Sequence, residues 1–468
     1  MEELPPFPNS LDQIAKWISG TTEISNPLAL QRAKEAFIDT IACILAAANE
    51  PVTEHVFQGF QGSSGGACSV AGRMDTFSAE NAAMVNGTAA HALDFDDNFI
   101  PAVTHASAVM VPALLAIGEE TGVTGDQLLD AYIVGLELQA WLGHQMIPAH
   151  YENGWHATST IGAIGAAAAC VRMMSLDEFT ISSAISLATS MACGSKIQFG
   201  SMSKPLHAGL AARAGITAAK LAVAGVEANP NPFEGPWGFI SLYKGANQIT
   251  PRVSQLSILE HGLAQKRWPC CASAHRTLDA VYDLIKSHQL SPEDIEYIET
   301  IIPDSNFKNL RFNNPKTVNE SRFSMTYTVA ALVHNQTLTL DDFSISAIER
   351  SDVRNFMPKV RMKSTDHITD HHNSIWDTPA ETTITCTDGR VFQKSIQQPV
   401  GTIHAPLNQV DLHDKFRACA SRLLSPDLIA QFLGVLEDFQ NQNSRQITSL
   451  MRCAEVNRNR PIHHAVPE

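Results

Sequence analysis

Apolar residues recur at helical spacing through most of the chain before Leu263. The clearest pattern lies between Asn26 and Ala48 and predicts an amphipathic helix with Asn26 as its cap and Pro27 at its first position. Similar patterns predict helices over three later segments, Ala79–Leu93, Thr124–Leu142 and 160–174. Runs that alternate with period two are scarce here, and no G-x-G-x-x-G or P-loop motif follows a strand. We therefore expect the first half of the protein to be a stack of helices.

The pattern changes near Leu263. A helix is predicted over 276–288, and the alternating run from Ile295 to Pro303 predicts a strand. Two further runs between Thr382 and Ile396 flank Asp388-Gly389 and predict a hairpin with this pair as a two-residue turn. Helical spacing resumes after about residue 408.

These patterns predict a mainly α fold in which a large all-helical domain is interrupted by a smaller α+β lid domain. We place the helical domain at residues 1–265 and 405–468, and the lid domain at residues 266–404. Because ligands bind preferentially between domains, we expect the functional site in the cleft between these two.

Composition narrows the class of protein. The chain has 468 residues, of which 44% are hydrophobic and 17% are charged, which indicates a folded protein of more than one domain. Its net charge of −15 disfavours nucleic acid and anionic membrane surfaces as partners. The acidic N-terminus lacks the features of a signal peptide, and no long window is uninterruptedly apolar, so we expect a cytoplasmic protein. Nine irregularly spaced cysteines without a C-x-x-C pair indicate free thiols.

Three carboxylates crowd the run His91-Ala-Leu-Asp94-Phe-Asp96-Asp97-Asn98. Because like charges repel, keeping them together requires nearby cations, hydrogen bonds or raised pKa values. That cost favours a functional role. Two other interpretations stay open: a calcium or magnesium loop, although the spacing does not match an EF-hand, and a solvated helix end.

Two further segments place polar side chains near helix starts. His156 precedes the helix at 160–174, where the helix dipole disfavours a protonated imidazole, so that a neutral His156 can act as a base. Lys204 precedes a helix predicted over 208–219, where its charge opposes the dipole unless an anion binds. Taken alone, a histidine at a helix start is more often a structural residue.

The predicted boundary between the domains carries Lys266 and the adjacent thiols Cys270 and Cys271. Taken alone, this segment is equally well explained as a linker with two buried cysteines. Tyr327 lies at the start of a helix predicted to run to Val333, and an isolated tyrosine in such a place is usually a core or interface residue.

Together and in this order, these segments resemble the MmgE/PrpD family over essentially the whole chain. The resemblance is carried by His91-Ala-Leu-Asp94-Phe-Asp-Asp, Thr104-His105, Asn153-Gly-Trp-His156, Ser203-Lys204, Lys266-x-x-Pro-Cys-Cys and Ser324-x-x-Tyr327. It implies a helical domain with an α+β lid, a homodimer, and an active site in the cleft that needs no metal and no organic cofactor. The substrates implied are small anionic polycarboxylates.

The resemblance also implies roles for individual residues. The implied catalytic residues are Asp94, His105, His156, Lys266 and Tyr327, and the implied substrate-binding residues are Lys204, Asn98 and Cys271. Lys266 on the lid side and His156 or His105 on the helical side are candidates for two opposing bases, with Asp94 orienting a histidine. Cys271 is a second candidate for a base. Asn98 and Cys271 stand where the vertebrate decarboxylases of the family have threonine and histidine.

Members of the family include 2-methylcitrate dehydratases, cis-aconitate decarboxylases and iminodisuccinate epimerase, which all move protons next to a carboxylate. Among these activities we expect a cofactor-independent isomerase that epimerises the α-carbon of iminodisuccinate. The alternative is a lyase, either a 2-methylcitrate dehydratase or a cis-aconitate decarboxylase. A non-catalytic helical interaction protein is a third hypothesis, and it leaves the carboxylate cluster unexplained.

Overall fold

The computed structural model describes residues 10–245, 256–365 and 378–452. The N-terminal residues on which the absence of a signal peptide was predicted lie outside the described residues, as does the predicted helical domain beyond residue 452.

Helices form almost all of the first part of the described chain. Their bounds are α1 (Leu11–Gly20), α2 (Pro27–Ala47), α3 (Pro51–Phe60), α4 (Ala79–Ala92), α5 (Ala106–Thr121), α6 (Gly125–Met146), α7 (Ala149–Glu152), α8 (Ala157–Met173), α9 (Glu178–Met191), α10 (Ser203–Val223), α11 (Phe239–Leu242) and α12 (Ser257–Glu260). Two short strands, β1 (Cys68–Ser69) and β2 (Thr76–Phe77), pair in antiparallel fashion beside them. The predicted stack of helices is confirmed.

Local capping explains where the predicted helices begin. The Asn26 side chain accepts hydrogen bonds from the backbone N–H groups of Leu28 and Ala29, both at 3.1 Å, and Pro27 takes the first position of α2. Thr124 and Gln127 form a capping box at the start of α6. Each cap satisfies backbone donors that have no partner inside the helix.

A smaller α+β unit follows. Its helices are α13 (His275–His288), α14 (Asp304–Asn309), α15 (Val318–Ser321), α16 (Met325–Asn335), α17 (Ile345–Ile348) and α18 (Ser351–Phe356), and its strands are β3 (Ile295–Ile302), β4 (Val360–Ser364), β5 (Ala380–Cys386) and β6 (Val391–Ile396). The strand order is β4-β3-β5-β6, with β4 parallel to β3 and the other neighbours antiparallel. Helix α13 packs on β5 and β6.

The β5–β6 hairpin is present, but its predicted two-residue turn is wrong. Cys386 and Arg390 flank a three-residue loop, in which the backbone N–H of Gly389 donates to the Cys386 carbonyl at 3.0 Å. Gly389 has a φ of 87°, the left-handed conformation that such three-residue loops require at their last position. The Asp-Gly pair therefore ends the loop instead of forming all of it.

The chain then returns to the helical part through α19 (Gln409–Ala420), α20 (Pro426–Glu437) and α21 (Ser444–Met451). Helix α19 packs against α2. Buried apolar side chains form two clusters, one drawn from both ends of the described chain and the other from residues between Trp268 and Cys386. The fold is mainly α, with a large helical part and an inserted α+β part. The domain bounds at 265 and 405 stay predictions.

Among the described residues, no single helix combines the length and the apolar character that a membrane span requires. One pair, Pro27–Ala47 with Pro51–Ser63, meets those criteria only when taken together, and it is bent by 84°.

Candidate active site

The site is centred on Asp94, which lies just beyond the end of α4. Its backbone has a φ of 52°, in the left-handed region that aspartate tolerates better than most residues. Its Oδ1 accepts hydrogen bonds from the Lys204 ammonium at 3.1 Å and from the Lys266 ammonium at 2.7 Å. Lys266 also donates to the Asp94 carbonyl at 2.7 Å. The contacts of this one carboxylate thus link the end of α4 to the first turn of α10 and to the segment that precedes the α+β unit.

All three of these charged side chains are buried. Burial on its own raises the pKa of Asp94, but Lys204 and Lys266 hold that pKa well below its usual range. Burial lowers the pKa of Lys266, but Asp94 and Asp96 raise it above its usual value. Asp94 and the neighbouring ionised Asp96 together balance the two ammonium groups, which keeps both lysines charged in a buried place where a ligand carboxylate can bind them.

A second carboxylate, Asp96, joins two imidazoles. His91 Nδ1 lies 3.0 Å from both Asp96 oxygens, and His105 Nδ1 lies 2.9 Å from Asp96 Oδ2. The two rings lie against each other with centroids 4.1 Å apart. Because Asp96 accepts a hydrogen bond from Nδ1 of His91, the neutral His91 ring carries its proton on Nδ1, and its Nε2 is bare.

Burial sets the protonation of this group. It lowers the pKa of His91 to about 3 and also lowers the pKa of His105, so both imidazoles are neutral at pH 7. Burial opposes ionisation of Asp96, but the two imidazoles beside it hold its pKa well below its usual range. The result is a carboxylate with two neutral rings, next to the Asp94–lysine group.

His156 completes the cluster from the start of α8. Its ring lies 5.9 Å from that of His91, centroid to centroid, and its Nδ1 lies 3.0 Å from Nδ1 of His207 on α10. Burial, with help from His91 and Lys204, lowers the pKa of His156 well below its usual value. His156 is therefore neutral, as its position before a helix also favours.

Four buried polar atoms of the cluster have no hydrogen-bond partner within the described part of the chain: His91 Nε2, Asp94 Oδ2, His105 Nδ1 and His156 Nε2. His105 Nδ1 lies 2.9 Å from Asp96, so the other three are the atoms that a polar ligand would satisfy. Asp94 Oδ2 and His91 Nε2 are acceptors, because Asp94 is ionised and Asp96 accepts from His91 Nδ1, so a ligand satisfies them with a donated proton.

Aromatic rings surround Lys204 and shield it from water. Its ammonium lies 5.3 Å from the Phe199 ring centroid and 5.1 Å from that of Phe323. Phe323 belongs to the α+β part, whereas Phe199 and Lys204 belong to the helical part. The Lys204 charge is thus held where the two parts meet, in surroundings that strengthen its attraction for an anion.

The residue types in this cluster are also those that bind metal ions. One ligand atom from each of four residues lies within 4.8 Å of the others: His91, Asp94, Asp96 and His105. The Lys204 and Lys266 ammonium groups already neutralise Asp94, and they would repel a cation placed beside it. The donor set therefore fits acid–base chemistry on an anion better than it fits a metal centre.

Two family models match the chain. The MmgE/PrpD N-terminal domain matches residues 12–252, and the MmgE/PrpD C-terminal domain matches residues 268–436. The chain belongs to the MmgE/PrpD family.

Relatives within the family have named activities. This MmgE/PrpD chain is 31% identical to cis-aconitate decarboxylase from Homo sapiens over 385 residues, which are 79% of each protein. It is 26% identical to cis-aconitate decarboxylase from Aspergillus terreus over 438 residues, which are 87% of this chain and 88% of the relative.

These relatives correct the predicted class of enzyme. Cis-aconitate decarboxylases are lyases, so the isomerase expected as the main class is wrong. The error has a chemical reason. Lysines, histidines and carboxylates serve any proton transfer beside a carboxylate, so the motifs identify the chemistry shared by the MmgE/PrpD family without identifying the product.

The structure brings together five of the residues predicted from the MmgE/PrpD resemblance. These are Asp94, His105, His156, Lys204 and Lys266. His105 Nε2 lies 3.9 Å from Asp94 Oδ1, which links the imidazole group to the lysine group.

Cys271 and Asn98 lie beside this cluster. Burial raises the pKa of the half-buried Cys271 thiol, Asp94 raises it further, and Lys266 opposes the rise, so the thiol is within electrostatic reach of both. The Asn98 backbone bridges to Ala264, two residues before Lys266, through hydrogen bonds of 3.0 Å and 2.8 Å. Their roles in substrate binding stay predictions.

Tyr327 is placed differently. Its hydroxyl donates to the Asp342 carbonyl, and its ring packs in the apolar cluster of the α+β part. Burial raises the pKa of this hydroxyl above its usual value. The described contacts give Tyr327 a structural role, and a catalytic role stays a prediction.

The structure places three residues without a predicted role in or beside the site: His91, Asp96 and His207. His91 and Asp96 belong to the motif around Asp94, but the sequence alone does not distinguish them from its other residues. The predicted helix start at residue 208 is wrong, because α10 begins at Ser203; with the correct start, Lys204 and His207 are three residues apart on one helix face.

Proposed function

We propose that this protein is a lyase that decarboxylates a small tricarboxylate of the cis-aconitate type. The single observation that carries the proposal is the convergence of the Lys204 and Lys266 ammonium groups on one buried carboxylate beside three neutral imidazoles. The names of the relatives supply the reaction class. In this reaction a C–C bond to a carboxylate breaks and CO2 leaves. The electron pair of that bond ends on a substrate carbon that takes up one proton, so a trianion and a proton give a dianion and CO2.

The lysines suit the charge of such a substrate. Lys204 and Lys266 can bind two of its carboxylates, because salt bridges to ligand carboxylates replace part of their contact with Asp94. They also stabilise the additional negative charge that develops on carbon as the bond breaks. Since both ammonium groups are already buried, this stabilisation costs little reorganisation when the reaction occurs.

The imidazoles suit the proton transfer. His91, His105 and His156 are neutral in the free protein, and a neighbouring trianion favours their protonated forms. Binding of the substrate is therefore coupled to proton uptake, and the proton taken up is available for the carbon. His105 and His156 are the candidate donors, because His105 Nε2 lies 3.9 Å from Asp94 Oδ1 and Lys204 acts electrostatically on His156.

Purified protein incubated with cis-aconitate tests the proposal. We expect release of one CO2 per molecule consumed, with the remaining dicarboxylate identified by NMR.

Lys204→Met and Lys266→Met should each reduce kcat/KM by about 100-fold or more, as the loss of a charge-stabilising donor usually does. Lys308→Met is the matched control and should leave the rate unchanged, because Lys308 is an exposed lysine whose ion pair within the described residues is with Asp304.

Two outcomes would contradict the proposal. If cis-aconitate is not decarboxylated while 2-methylcitrate loses water, the protein is a dehydratase and the proposal fails. If Lys204→Met and Lys266→Met both retain full activity, as the control Lys308→Met does, the active site does not lie at these two lysines.

A further inference from the structure

We propose that His207 is a positioning residue for His156, which fixes the tautomer of that imidazole so that Nε2 is its free nitrogen within the buried cluster. The tautomer follows from contacts within the protein, whereas its catalytic consequence rests on the proposed function.

The contact between the two rings is direct. Nδ1 of His156 and Nδ1 of His207 are 3.0 Å apart, which is hydrogen-bond distance, and the ring centroids are 5.3 Å apart. A hydrogen bond between two imidazole nitrogens contains a single proton, so one nitrogen donates and the other accepts. The pair therefore restricts the two rings to matched tautomers.

The backbone around the pair keeps this geometry. The Gly194 carbonyl accepts the backbone N–H of His156 at 3.0 Å. A Cβ on Gly194 would lie 2.7 Å from Ser159 Cβ and 3.3 Å from His207 Nδ1, and the φ of Gly194 is 140°. A glycine at this position leaves room for the two rings to meet.

Burial decides the direction of the hydrogen bond. His156 is 2% exposed and His207 is 8% exposed, so a proton on the outer nitrogen of His207 is more easily hydrated than one on Nε2 of His156. We therefore assign the donor to His156 Nδ1 and the acceptor to His207 Nδ1. His156 Nε2, which has no partner among the described residues, is then a bare acceptor.

This arrangement prepares His156 to take up a proton. When His156 is protonated at Nε2, its Nδ1–H already has an acceptor, and no ring has to rotate. His91, Lys204, His207 and His105 are the titratable groups that act on His156, and each of them disfavours its cation in the free protein. A bound polycarboxylate offsets these charges, so protonation of His156 accompanies binding.

Two variants separate positioning from other effects. In His207→Asn, the amide oxygen can take the place of Nδ1 and accept the same hydrogen bond, whereas His207→Leu has the bulk and no acceptor. We expect kcat for decarboxylation to fall about tenfold or more in His207→Leu and less than about threefold in His207→Asn, with KM changed less than about twofold in both. Ser159→Ala is the matched control, because the one hydrogen bond that the Ser159 hydroxyl donates among the described residues goes to the His207 carbonyl, at 3.4 Å, and not to either ring.

A second readout does not depend on activity. Imidazole 15N chemical shifts distinguish protonated from bare nitrogens, and the His156 signals can be identified by their loss in His156→Gln. We expect wild type and His207→Asn to share one tautomer of His156, with the proton on Nδ1, and His207→Leu to show a mixture. This measurement uses the whole protein without substrate, so it remains decisive if cis-aconitate proves to be the wrong substrate.

The proposal is overturned if His207→Leu leaves the His156 15N shifts unchanged. It is also overturned if both His207 variants keep wild-type kcat, or if both lose it equally while their thermal unfolding midpoints match that of wild type. Equal loss would mean that His207 itself carries a proton, which an amide cannot do.

Discussion

Three neighbouring carboxylates have three different surroundings. Asp94 is held ionised by two lysines, and Asp96 by two imidazoles. Asp97 accepts a hydrogen bond from Ser107 but has no ion pair among the described residues, so burial and then the nearby Asp39 raise its pKa to about 8. At pH 7 the segment therefore carries two negative charges and not three, which reduces the repulsion inside it.

The raised pKa of Asp97 predicts a pH-dependent contribution to stability. Its carboxyl has a higher pKa in the folded state, about 8, than its ordinary value of 3.8, so its stabilising effect is complete below about pH 4 and is lost as the pH rises through 8. Asp97→Asn stays neutral throughout. We expect the free energy of unfolding of this variant to rise relative to wild type by a few kcal/mol (~2 or more) between pH 5 and pH 8.

Urea unfolding at pH 5, 6.5 and 8 measures this difference. Asp427→Asn, which removes an exposed acid from the first turn of α20, is the control and should follow the wild-type pH profile. Parallel profiles for wild type and Asp97→Asn would show that Asp97 is ionised in the folded protein.

Asp96 and Asp97 offer a matched comparison for activity. Asp96→Asn replaces a carboxylate that accepts from His91 Nδ1 and lies 2.9 Å from His105 Nδ1 with a neutral amide that has one acceptor oxygen, so both imidazoles lose the anion that they share. We expect kcat to fall about 100-fold or more, with little change in KM. Asp97→Asn removes no charge at pH 7 and should retain most of the activity. Steady-state kinetics at pH 7 compares the two, and equal activities would contradict the role given to Asp96.

At the scale of elements, the distance between Asp94 and Lys204 depends on how closely α4 and α10 pack. Both helices have a glycine at the contact: a Cβ on Gly87 would lie 3.0 Å from Gly209 Cα, and a Cβ on Gly209 would lie 2.2 Å from the Met84 carbonyl oxygen. Asp94 follows the end of α4, and Lys204 lies in the first turn of α10. Close packing of these helices therefore brings the two charges to hydrogen-bond distance.

Gly209→Ala should separate the helices. Because the clash involves backbone, we expect the free energy of unfolding to fall by about 1–3 kcal/mol and kcat/KM to fall about tenfold as Lys204 moves from Asp94. Gly434→Ala is the control: this glycine lies inside α20 with open space around it, so alanine should raise stability by about 0.5–1 kcal/mol and leave the rate unchanged. Thermal or urea unfolding measures the change in stability, and steady-state kinetics measures the change in kcat/KM. Equal effects of the two substitutions would contradict the role given to the close packing of α4 and α10.

The elements that sequence could predict are those with a local cause. Asn26 caps α2 and Thr124 caps α6 by contacts within three residues, and the apolar period of each helix is visible in one window. β4 was not predicted, because it is short and pairs in parallel with β3, about 60 residues earlier in the chain. In the same way, the motifs indicated Asp94 and its lysines, but not which carboxylate stays protonated, since that depends on neighbours from distant segments.

At the scale of the whole molecule, a chain with a net charge of −15 concentrates cations at one buried place. Lys415 on α19 adds a third buried lysine there, although it contacts neither Asp94 nor an imidazole among the described contacts. Its ammonium donates to the Phe95 carbonyl at 2.8 Å and to the Lys266 carbonyl at 3.0 Å, and it lies 2.7 Å from Asp39 on α2. It also borders a cavity of about 610 Å³ that Lys266 lines.

Lys415 therefore links the segment of Asp94, the segment of Lys266 and helix α2, although Lys415 and Phe95 are 320 residues apart in the sequence. Because its own charge is neutralised by Asp39, its effect on the site is to hold the backbone on both sides of the Asp94–Lys266 contact. Burial raises the pKa of Asp39, and Lys415 opposes the rise. Removing either partner alone leaves a buried charge without its counter-ion, which costs more than removing both.

This difference gives a test that separates stability from positioning. We expect Lys415→Met to lower the free energy of unfolding by about 3–5 kcal/mol and to reduce kcat, and the double variant Asp39→Asn with Lys415→Met to recover most of the stability. The rate should not recover, because the Phe95 and Lys266 carbonyls still have no common donor. Lys34→Met is the control, since Lys34 also links α2 to the C-terminal helices, through the Glu437 carbonyl at 3.3 Å, but lies away from the site. Recovery of the rate together with stability in the double variant would reduce Lys415 to a purely structural residue.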